Sequence, residues 1–419
     1  MMNAQIISIG DELLIGQTIN TNASFIGAKF ADIGVSVKKV ITTSDEMEAI
    51  TGDLGKALES SDIVVVTGGL GPTHDDLTRE AICRFFSCGL REDPDVLEDI
   101  KERFNKFGRE LTPTNKDQAM VPECCEPIRN FNGTAPGFWI EQGGKVVAVM
   151  PGVPREMKAM MENFVLPNVR SRFATNLKQV VRLNILTTGI AESTLYDKLS
   201  PVDEVLKDVK VAFLPNLGGV KVRLTGEGST LEEAREKTNA AAQQLRLRAG
   251  RYVFGEGDDE LSQVIGNLLR ERQMTLSVAE SCTGGNISNM ITDRSGSSEY
   301  FERGIIAYSN AAKVEILQVD EDLIQEKGSV SEEVALEMAK GVRSISGTDI
   351  GVSITGILGP KGATSTKPVG LVYIGVASHS NAVVKKFYFG GTRIENKIRS
   401  TYAALELIRR FILGIPIEA

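Results

Sequence analysis

The sequence predicts an α/β protein built from three successive domains, and three observations carry that expectation. Its 419 residues are enough for about three domains of ordinary size. Hydrophobic residues make up 42% and charged residues 24%, the balance of a globular chain with a real core. Strand-like and helix-like patterns alternate through the first and last thirds, which a stretch of different character separates. This order predicts a three-layer α/β domain over 1–170, a small α+β domain over 171–255 and an α/β domain over 256–419.

In the first domain, "AQIISIG" and "DIVVVTGG" are continuous apolar runs, as expected of parallel strands buried on both faces. Between them, "NASFIGAKFADIG" carries apolar residues at helical spacing and closes on glycine. "VSVKKVITT" then reads as a strand before a second helix, and "KVVAVMPGVP" as a later strand ending in a Gly/Pro turn. In the middle domain, "QVVRLNILTTG" and "GVKVRLTGEG" read as strands, "LPNLGG" as an exposed turn and "TLEEAREKTNAAAQQLRLRA" as a helix. No catalytic constellation stands out there. "GEGDDE" at 255–260 reads as a polar linker. The third domain runs strand 275–280, helix 285–293, strand "GIIAYS", a helix from about Ala311 and a helix over 331–345. The strands "DIGVSITG", "LVYIGVAS" and "VVKKFYF" follow, then a long amphipathic helix from Arg393. A sheet of mixed direction, covered on both faces, fits this pattern.

Composition excludes several classes. A net charge of −8 leaves no basic footprint for anionic membranes, and direct nucleic-acid binding is not expected. The five cysteines, Cys83, Cys88, Cys124, Cys125 and Cys282, form no CxxC pair and show no metal-ligand spacing, which points to reduced thiols and the cytoplasm. The start runs into "AQIISIG" without a basic leader, and no apolar run approaches the ~18 residues of a membrane span.

"SVAESCTGGNISNMI", residues 277–291, places Ser281 at a strand–turn–helix elbow of the kind on which hydrolases display a nucleophile. Cys282 is the rival nucleophile. The first amides of the following helix favour an oxyanion or a phosphate, although Ser, Thr and paired Gly are also ordinary cap and turn residues. A base is harder to find, because the chain has only two histidines, His74 and His379, both remote in sequence. A lysine can serve if its ammonium is destabilised by burial or by nearby positive charge. Lys313 qualifies, because "AYSNAAK" is again strand–turn–helix and puts it in a first helical turn, whose dipole disfavours a cation. The alternative is a solvated surface lysine.

"VTGGLGPTHDDLTREA", residues 66–81, is a strand, a glycine turn, two aspartates and a helix start. Gly68, Gly69 and Gly71 would let backbone amides approach a phosphate, and Asp75 and Asp76 suit a divalent cation bridging carboxylate and phosphate. A dinucleotide fingerprint is absent. A capped helix start explains the same residues.

Six stretches of the third domain, "AESCTGG", "FERGIIAYSNAAK", "VSEEVALEMAKG", "SITGILGP", "KPVGLVYIG" and "FGGTR", resemble in this order the amidohydrolase domain of the CinA family. That family includes serine/lysine deamidases of nicotinamide mononucleotide (NMN). The resemblance implies Ser281 as nucleophile, Lys313 as general base, and Tyr308 and Thr355 as supporting hydroxyls. It places Thr283, Gly284, Gly285 and Gly356 against the substrate, with Arg393 on its phosphate, and implies no cofactor. One departure is visible, in "LGPKGA", where Leu358 and Ala363 replace Ala and Gly in a loop expected to border the substrate.

"IGDELL", "TGGLGPTHDD", "NGTAPGF" and "MPGVPREM" are similar to the molybdopterin-binding fold as it occurs at the CinA N-terminus, and the middle segment resembles the family's KH-like module. The implied activity is hydrolysis of ADP-ribose to AMP and ribose 5-phosphate with a divalent metal, Mg or Co. Asp11, Asp75 and Asp76 would be the acidic candidates, with Gly68, Gly69, Gly71, Gly133 and Gly152 shaping the pocket. A homodimer is implied as well. Two other readings stay open: a non-catalytic adaptor in competence or DNA damage, and molybdopterin binding by the first domain.

Overall fold

The computed structural model describes residues 2–174 and 178–417. The chain divides into two compact units, Met1–Val181 with Glu227–Arg235, and Arg182–Gly226 with Glu236–Ala419.

The first unit contains β1 (Asn3–Ile9), β2 (Ser36–Thr43), β3 (Ile63–Thr67), β4 (Leu90–Glu92), β5 (Met120–Pro122), β6 (Glu126–Ile128), β7 (Gly137–Gln142) and β8 (Lys145–Met150). Six of them form one sheet in the order β2-β1-β3-β8-β7-β6, and β4 pairs separately with β5. Pairing is parallel from β2 to β8 and antiparallel beyond it. Every residue of β3 is buried, because its alternate side chains feed two cores. Val65 packs with Ile6, Ile26 and Phe30 on one face, while Val64 and Val66 pack with Ile7, Leu54 and Ile82 on the other. The domain is therefore a three-layer sandwich, and the helix Thr78–Phe86 starts directly after the glycine turn that follows β3.

A second sheet orders β10 (Val209–Asn216), β11 (Gly219–Gly228), β9 (Gln179–Thr187) and β12 (Val253–Glu256). Two readings change here. The β10–β11 ladder continues to Asn216↔Gly219, so "LPNLGG" is mostly strand, with Leu217 and Gly218 as the link. The supposed linker begins as strand, since Gly255 and Glu256 pair with Leu186 and Ile185.

The last sheet is built from β13 (Leu276–Glu280), β14 (Phe301–Ile306), β15 (Ile350–Gly356), β16 (Leu371–Ala377) and β17 (Ala382–Tyr388). Its order is β14-β13-β15-β16-β17, with β13 parallel to both neighbours and the other pairs antiparallel. Helices cover both faces: Ile265, Ile287, Leu405 and Ile408 pack on the Val278 side, and Leu317, Val334 and Met338 on the Ala279 side. The strand expected over 304–309 ends at Ile306, because Ser309 already caps the next helix by accepting from the Ala312 amide. The short helix Glu321–Lys327 escapes the pattern reading because it buries only Ile324. Among the described residues, no helix is long and apolar enough to cross a membrane.

Candidate functional site

Because β13, β14 and β15 run parallel side by side, the segments leaving their carboxyl ends converge, the usual place for a site in an α/β sheet. Ser281 follows β13 and is fixed by its amide, which donates to the Ile354 carbonyl at 3.0 Å. Lys313 arrives from the helix Asn310–Leu317 and is only 1% exposed. Its Nζ lies 3.2 Å from Ser281 Oγ, 2.9 Å from the Ala307 carbonyl and 3.2 Å from the Tyr308 carbonyl.

Burial pushes the Lys313 amine below its ordinary range, only partly opposed by the neighbouring Cys282. Three acceptors suit an ammonium, but the same geometry suits the neutral amine. Its two hydrogens satisfy the carbonyls, and its lone pair meets the Ser281 hydroxyl. Arg393 is not among the groups that depress this lysine. Cys282 is weak as a rival: burial raises its thiol to about 12, which leaves it protonated at neutral pH, and its side chain joins the hydrophobic core.

The helix start behaves differently from expectation. Glu280 is fully buried, and its carboxylate turns toward the helix Asn286–Thr292. It accepts from the amides of Gly285 at 3.0 Å, Ile287 at 3.1 Å and Ser288 at 2.8 Å, and from the Ser288 hydroxyl at 2.8 Å. Those amides are spoken for and do not receive an oxyanion or a phosphate. Gly284 donates to the Ser281 carbonyl and Asn286 to that of Thr283. Among the described residues, the amides of Cys282 and Thr283 donate to no backbone carbonyl, so an oxyanion could use them. Gly284 and Gly285 hold φ of +58° and +94°, which makes this hairpin bend before the helix accessible to glycine. The Thr283 side chain is buried, and its hydroxyl has no partner among the described residues.

The other expected hydroxyls sit further out. Thr355 is buried and donates to the Ser329 carbonyl at 2.7 Å, while Gly356 continues the β15–β16 ladder opposite Val372. Tyr308 is 63% exposed, and its hydroxyl accepts from Arg393 Nη2 at 3.3 Å. Arg393 also donates to the Gly359 carbonyl at 2.7 Å, at the start of the helix Arg393–Leu413. Lys397, one turn further along that helix, brings its Nζ to 3.7 Å from the position a Cβ on Gly284 would occupy. Sequence reasoning missed it, although i,i+4 spacing from Arg393 puts both cations on one face. Leu358, in the loop expected to border the substrate, is 2% exposed and packs in the core.

In the first domain, the expected residues gather only in part. Asp76 Oδ2 accepts from the Thr73 amide at 3.0 Å and hydroxyl at 2.5 Å, closing the turn. Asp75 points to solvent beside His74, and its carboxyl, hydrogen-bonded by Thr73, sits below its usual range. Asp11 belongs instead to a group around Asp45, whose Oδ2 accepts the Asp11 amide at 3.0 Å. Burial, then the carboxylates of Asp11, Glu12 and Asp75, hold Asp45 above the usual carboxylate range. Asp45 was not expected from the sequence. Asp11 and Asp75 both act on Asp45 while Asp76 is turned onto Thr73, and among the described residues no three acidic, His or Cys side chains are placed to hold a metal ion. The residues present offer no ready-made cage. The glycines answer local crowding more than an open cradle: a Cβ on Gly68 would run into the Ile9 carbonyl, on Gly69 into the Thr78 hydroxyl and on Gly71 into Asp76. Likewise Gly133 faces Glu156, and Gly152 lies against Gly68.

A cavity of about 420 Å³ opens beside the turn and is lined by Gly69–His74, Asp76, Arg79, Gln118 and Phe138, among others. Another, of about 510 Å³, lies in the second unit against Phe387, Phe389 and Tyr402 and includes neither Ser281 nor Lys313.

Three family models match in succession: "Probable molybdopterin binding domain" over 5–171, "Damage-inducible protein CinA KH domain" over 183–255 and "CinA C-terminal domain" over 258–412. A CinA-like protein of Salinibacter ruber is 43% identical over 412 residues, which cover 98% of this chain and 99% of that protein. A CinA-like protein of Chloroherpeton thalassium is 41% identical over 420 residues, which cover 98% of this chain and 99% of its own. A crystal structure of the protein CinA from Thermoplasma acidophilum, 43% identical, covers 39% of this chain and 95% of its own, with a TM-score of 0.37.

Proposed function

The chain belongs to the CinA family, and from that premise we propose that it is a hydrolase of pyridine-nucleotide by-products with two separate sites. The Ser281–Lys313 site deamidates NMN to nicotinic acid mononucleotide and ammonia. The observation that carries this reading is a lysine amine, 1% exposed and depressed by burial, 3.2 Å from a serine hydroxyl.

The chemistry follows from the residues. Ser281 Oγ attacks the carboxamide carbon as its proton passes to the neutral Lys313 amine. The oxyanion forms toward the Cys282 and Thr283 amides. The Lys313 ammonium then protonates the departing nitrogen, and ammonia leaves an acyl-serine. Water, deprotonated by the same amine, attacks that ester and returns the serine. Arg393 and Lys397 supply two positive charges on one helical face for the nucleotide phosphate. No metal is required, since serine and lysine supply nucleophile and base between them.

The first domain is proposed to hydrolyse ADP-ribose to AMP and ribose 5-phosphate in the cavity beside the glycine turn. If a divalent cation binds there, Asp76 would be the protein carboxylate facing it, and the cation's charge would offset that of the pyrophosphate. Asp76 is the carboxylate that both lines the cavity and belongs to the turn.

Purified protein incubated separately with NMN and with ADP-ribose, each with Mg²⁺ and with chelator, tests both halves. Ammonia release that survives chelator and AMP release that does not are the expected pair. Asp76→Asn keeps an oxygen for the Thr73 amide while removing the charge. It is expected to lower AMP release by at least ~100-fold and leave NMN deamidation unchanged. Unchanged ADP-ribose turnover in that variant removes Asp76 from the mechanism.

A further inference from the structure

The cavity of about 510 Å³ in the second unit includes neither Ser281 nor Lys313, and its wall carries a charge that the fold leaves unbalanced. Glu406 is buried there beside two buried guanidiniums. Arg409 engages both carboxylate oxygens, its Nε donating at 2.7 Å and its Nη2 at 3.0 Å, and also donates to the Arg251 and Val253 carbonyls. Arg410 is 6% exposed and gives the same carboxylate only its Nε, at 2.6 Å. Its Nη1 and Nη2 donate to no described residue, yet neither is closed off from solvent. Nη2 lies 3.0 Å from where a Cβ on Gly189 would sit, and Gly189, like Glu406 and Arg410, lines the cavity. The outer nitrogens of this guanidinium therefore face the cavity. One carboxylate between two arginines leaves a positive charge uncompensated, a costly state for a buried group unless an anion meets it.

The rest of the wall says what kind of anion. Lys385 and Arg399 also line the cavity, and the other lining carboxylate, Glu192, is exposed and paired with neither Arg409 nor Arg410. Cations thus outnumber carboxylates, while Ile190, Leu217, Phe387, Phe389, Tyr402 and Ile417 give an apolar face. The Phe387 and Phe389 rings are 5.6 Å apart between centroids and within 9° of parallel, an orientation to which a planar group can align. The Arg410 fork is held in advance by Glu406 and by the Tyr252 ring, whose centroid is 5.4 Å away, so it has little freedom left to lose on binding. A volume of this size suits a small molecule. We infer that this cavity is a ligand site separate from the Ser281–Lys313 site, and that it takes a flat aromatic carboxylate. The carboxylate pairs with Arg410 Nη1 and Nη2, and the ring lies against Phe387 and Phe389. The inference rests on neither proposed activity.

The test uses the full-length protein and calorimetric titration with three probes built on one ring system: 2-naphthoate, 2-naphthyl phosphate and the neutral 2-naphthamide. 2-Naphthoate is expected to bind saturably and at least ~10-fold tighter than 2-naphthamide. Arg410→Met leaves Glu406 paired with Arg409. It should erase that preference, weakening the carboxylate by ~10-fold or more and moving the amide by no more than about twofold. Ala403→Phe enlarges a lining residue that carries no charge and should block both ligands, which keeps the site testable if Arg410→Met does not fold. Saturating NMN, added to the Ser281→Ala protein so that it is not consumed, should leave 2-naphthoate binding unchanged. Absence of saturable 2-naphthoate binding, equal affinity for 2-naphthoate and 2-naphthamide, or equal loss of both in Arg410→Met overturns the inference. So does displacement by NMN, or 2-naphthoate binding that Ala403→Phe does not touch. 2-Naphthyl phosphate bound more tightly than 2-naphthoate, in an Arg410-dependent way, overturns the carboxylate and makes the occupant a phosphate monoester.

Discussion

Ser281→Ala should lower NMN deamidation by on the order of 10⁴-fold or more, and leave ADP-ribose hydrolysis within about twofold. The informative partner is Lys313→Arg. Arginine keeps the positive charge, so a lysine acting only through charge would tolerate it. A lysine acting as base would not, because a guanidinium stays protonated and accepts no proton. The surroundings sharpen the contrast, since a 1% exposed amine sits between two carbonyls and one hydroxyl. We therefore expect Lys313→Arg and Lys313→Ala to lose activity alike, by about 10³-fold or more. Steady-state ammonia release is the measurement. If Lys313→Arg keeps a tenth or so of the wild-type rate, the base is elsewhere, and the exposed Tyr308 hydroxyl is the next candidate.

The same lysine predicts two pH profiles. Activity should rise with pH through one ionisation below the ~10.4 of a free lysine, because only the neutral amine accepts the serine proton. Stability should move in the same direction. The folded-state value lies below the unfolded one, so across the interval between them the unfolded chain binds more protons and stability climbs with pH. The cost of burying the ammonium is fully present below the folded value and gone above ~10.4. Lys313→Met lacks this contribution. Wild type should gain on it as the pH rises through the alkaline range, in urea unfolding followed by circular dichroism at several pH values. A stability difference that stays flat with pH would mean that Lys313 is not depressed by folding.

Much of the serine site was legible because it rests on local patterns that repeat. Ser281 and Lys313 each follow a strand and open a helix, and parallel neighbours bring such junctions together whatever their separation in sequence. What escaped needed three dimensions. Lys397 falls on the Arg393 face by helical period, yet only its approach to Gly284 shows where that face looks. Asp45 meets Asp11 because β2 lies beside β1, and no spacing of acids announces that. The adjacent pair Asp75 and Asp76 reads as one metal-binding unit in sequence, but a turn sends one carboxylate to solvent and folds the other back onto Thr73. Leu358 reads as a loop residue, and its membership of the core is not announced by any spacing.

Glu280 is the clearest failure of a simple rule, and it yields the second large effect. Strand alternation turns it away from Ser281, and so it does turn. The rule says nothing of what lies on the other side, where the helix Asn286–Thr292 begins with unpaired amides. One buried carboxylate takes four hydrogen bonds there, three from the backbone. That clamp holds the bend carrying Ser281, Cys282 and Thr283. In Glu280→Gln one oxygen becomes an NH₂ group, which faces N–H donors and cannot accept from them. At least one backbone bond is lost and a donor is left buried, so we expect a cost of about 2–4 kcal/mol. NMN deamidation should fall at least ~10-fold as the bend loosens. Hydrogen exchange separates this from a chemical role. The amides of Gly285, Ile287 and Ser288 should be protected in the wild type and exchange faster in Glu280→Gln. Lost deamidation with protection intact would mean that the loss does not run through the bend. If activity and protection both survive, the clamp is dispensable and the glycines alone hold the bend.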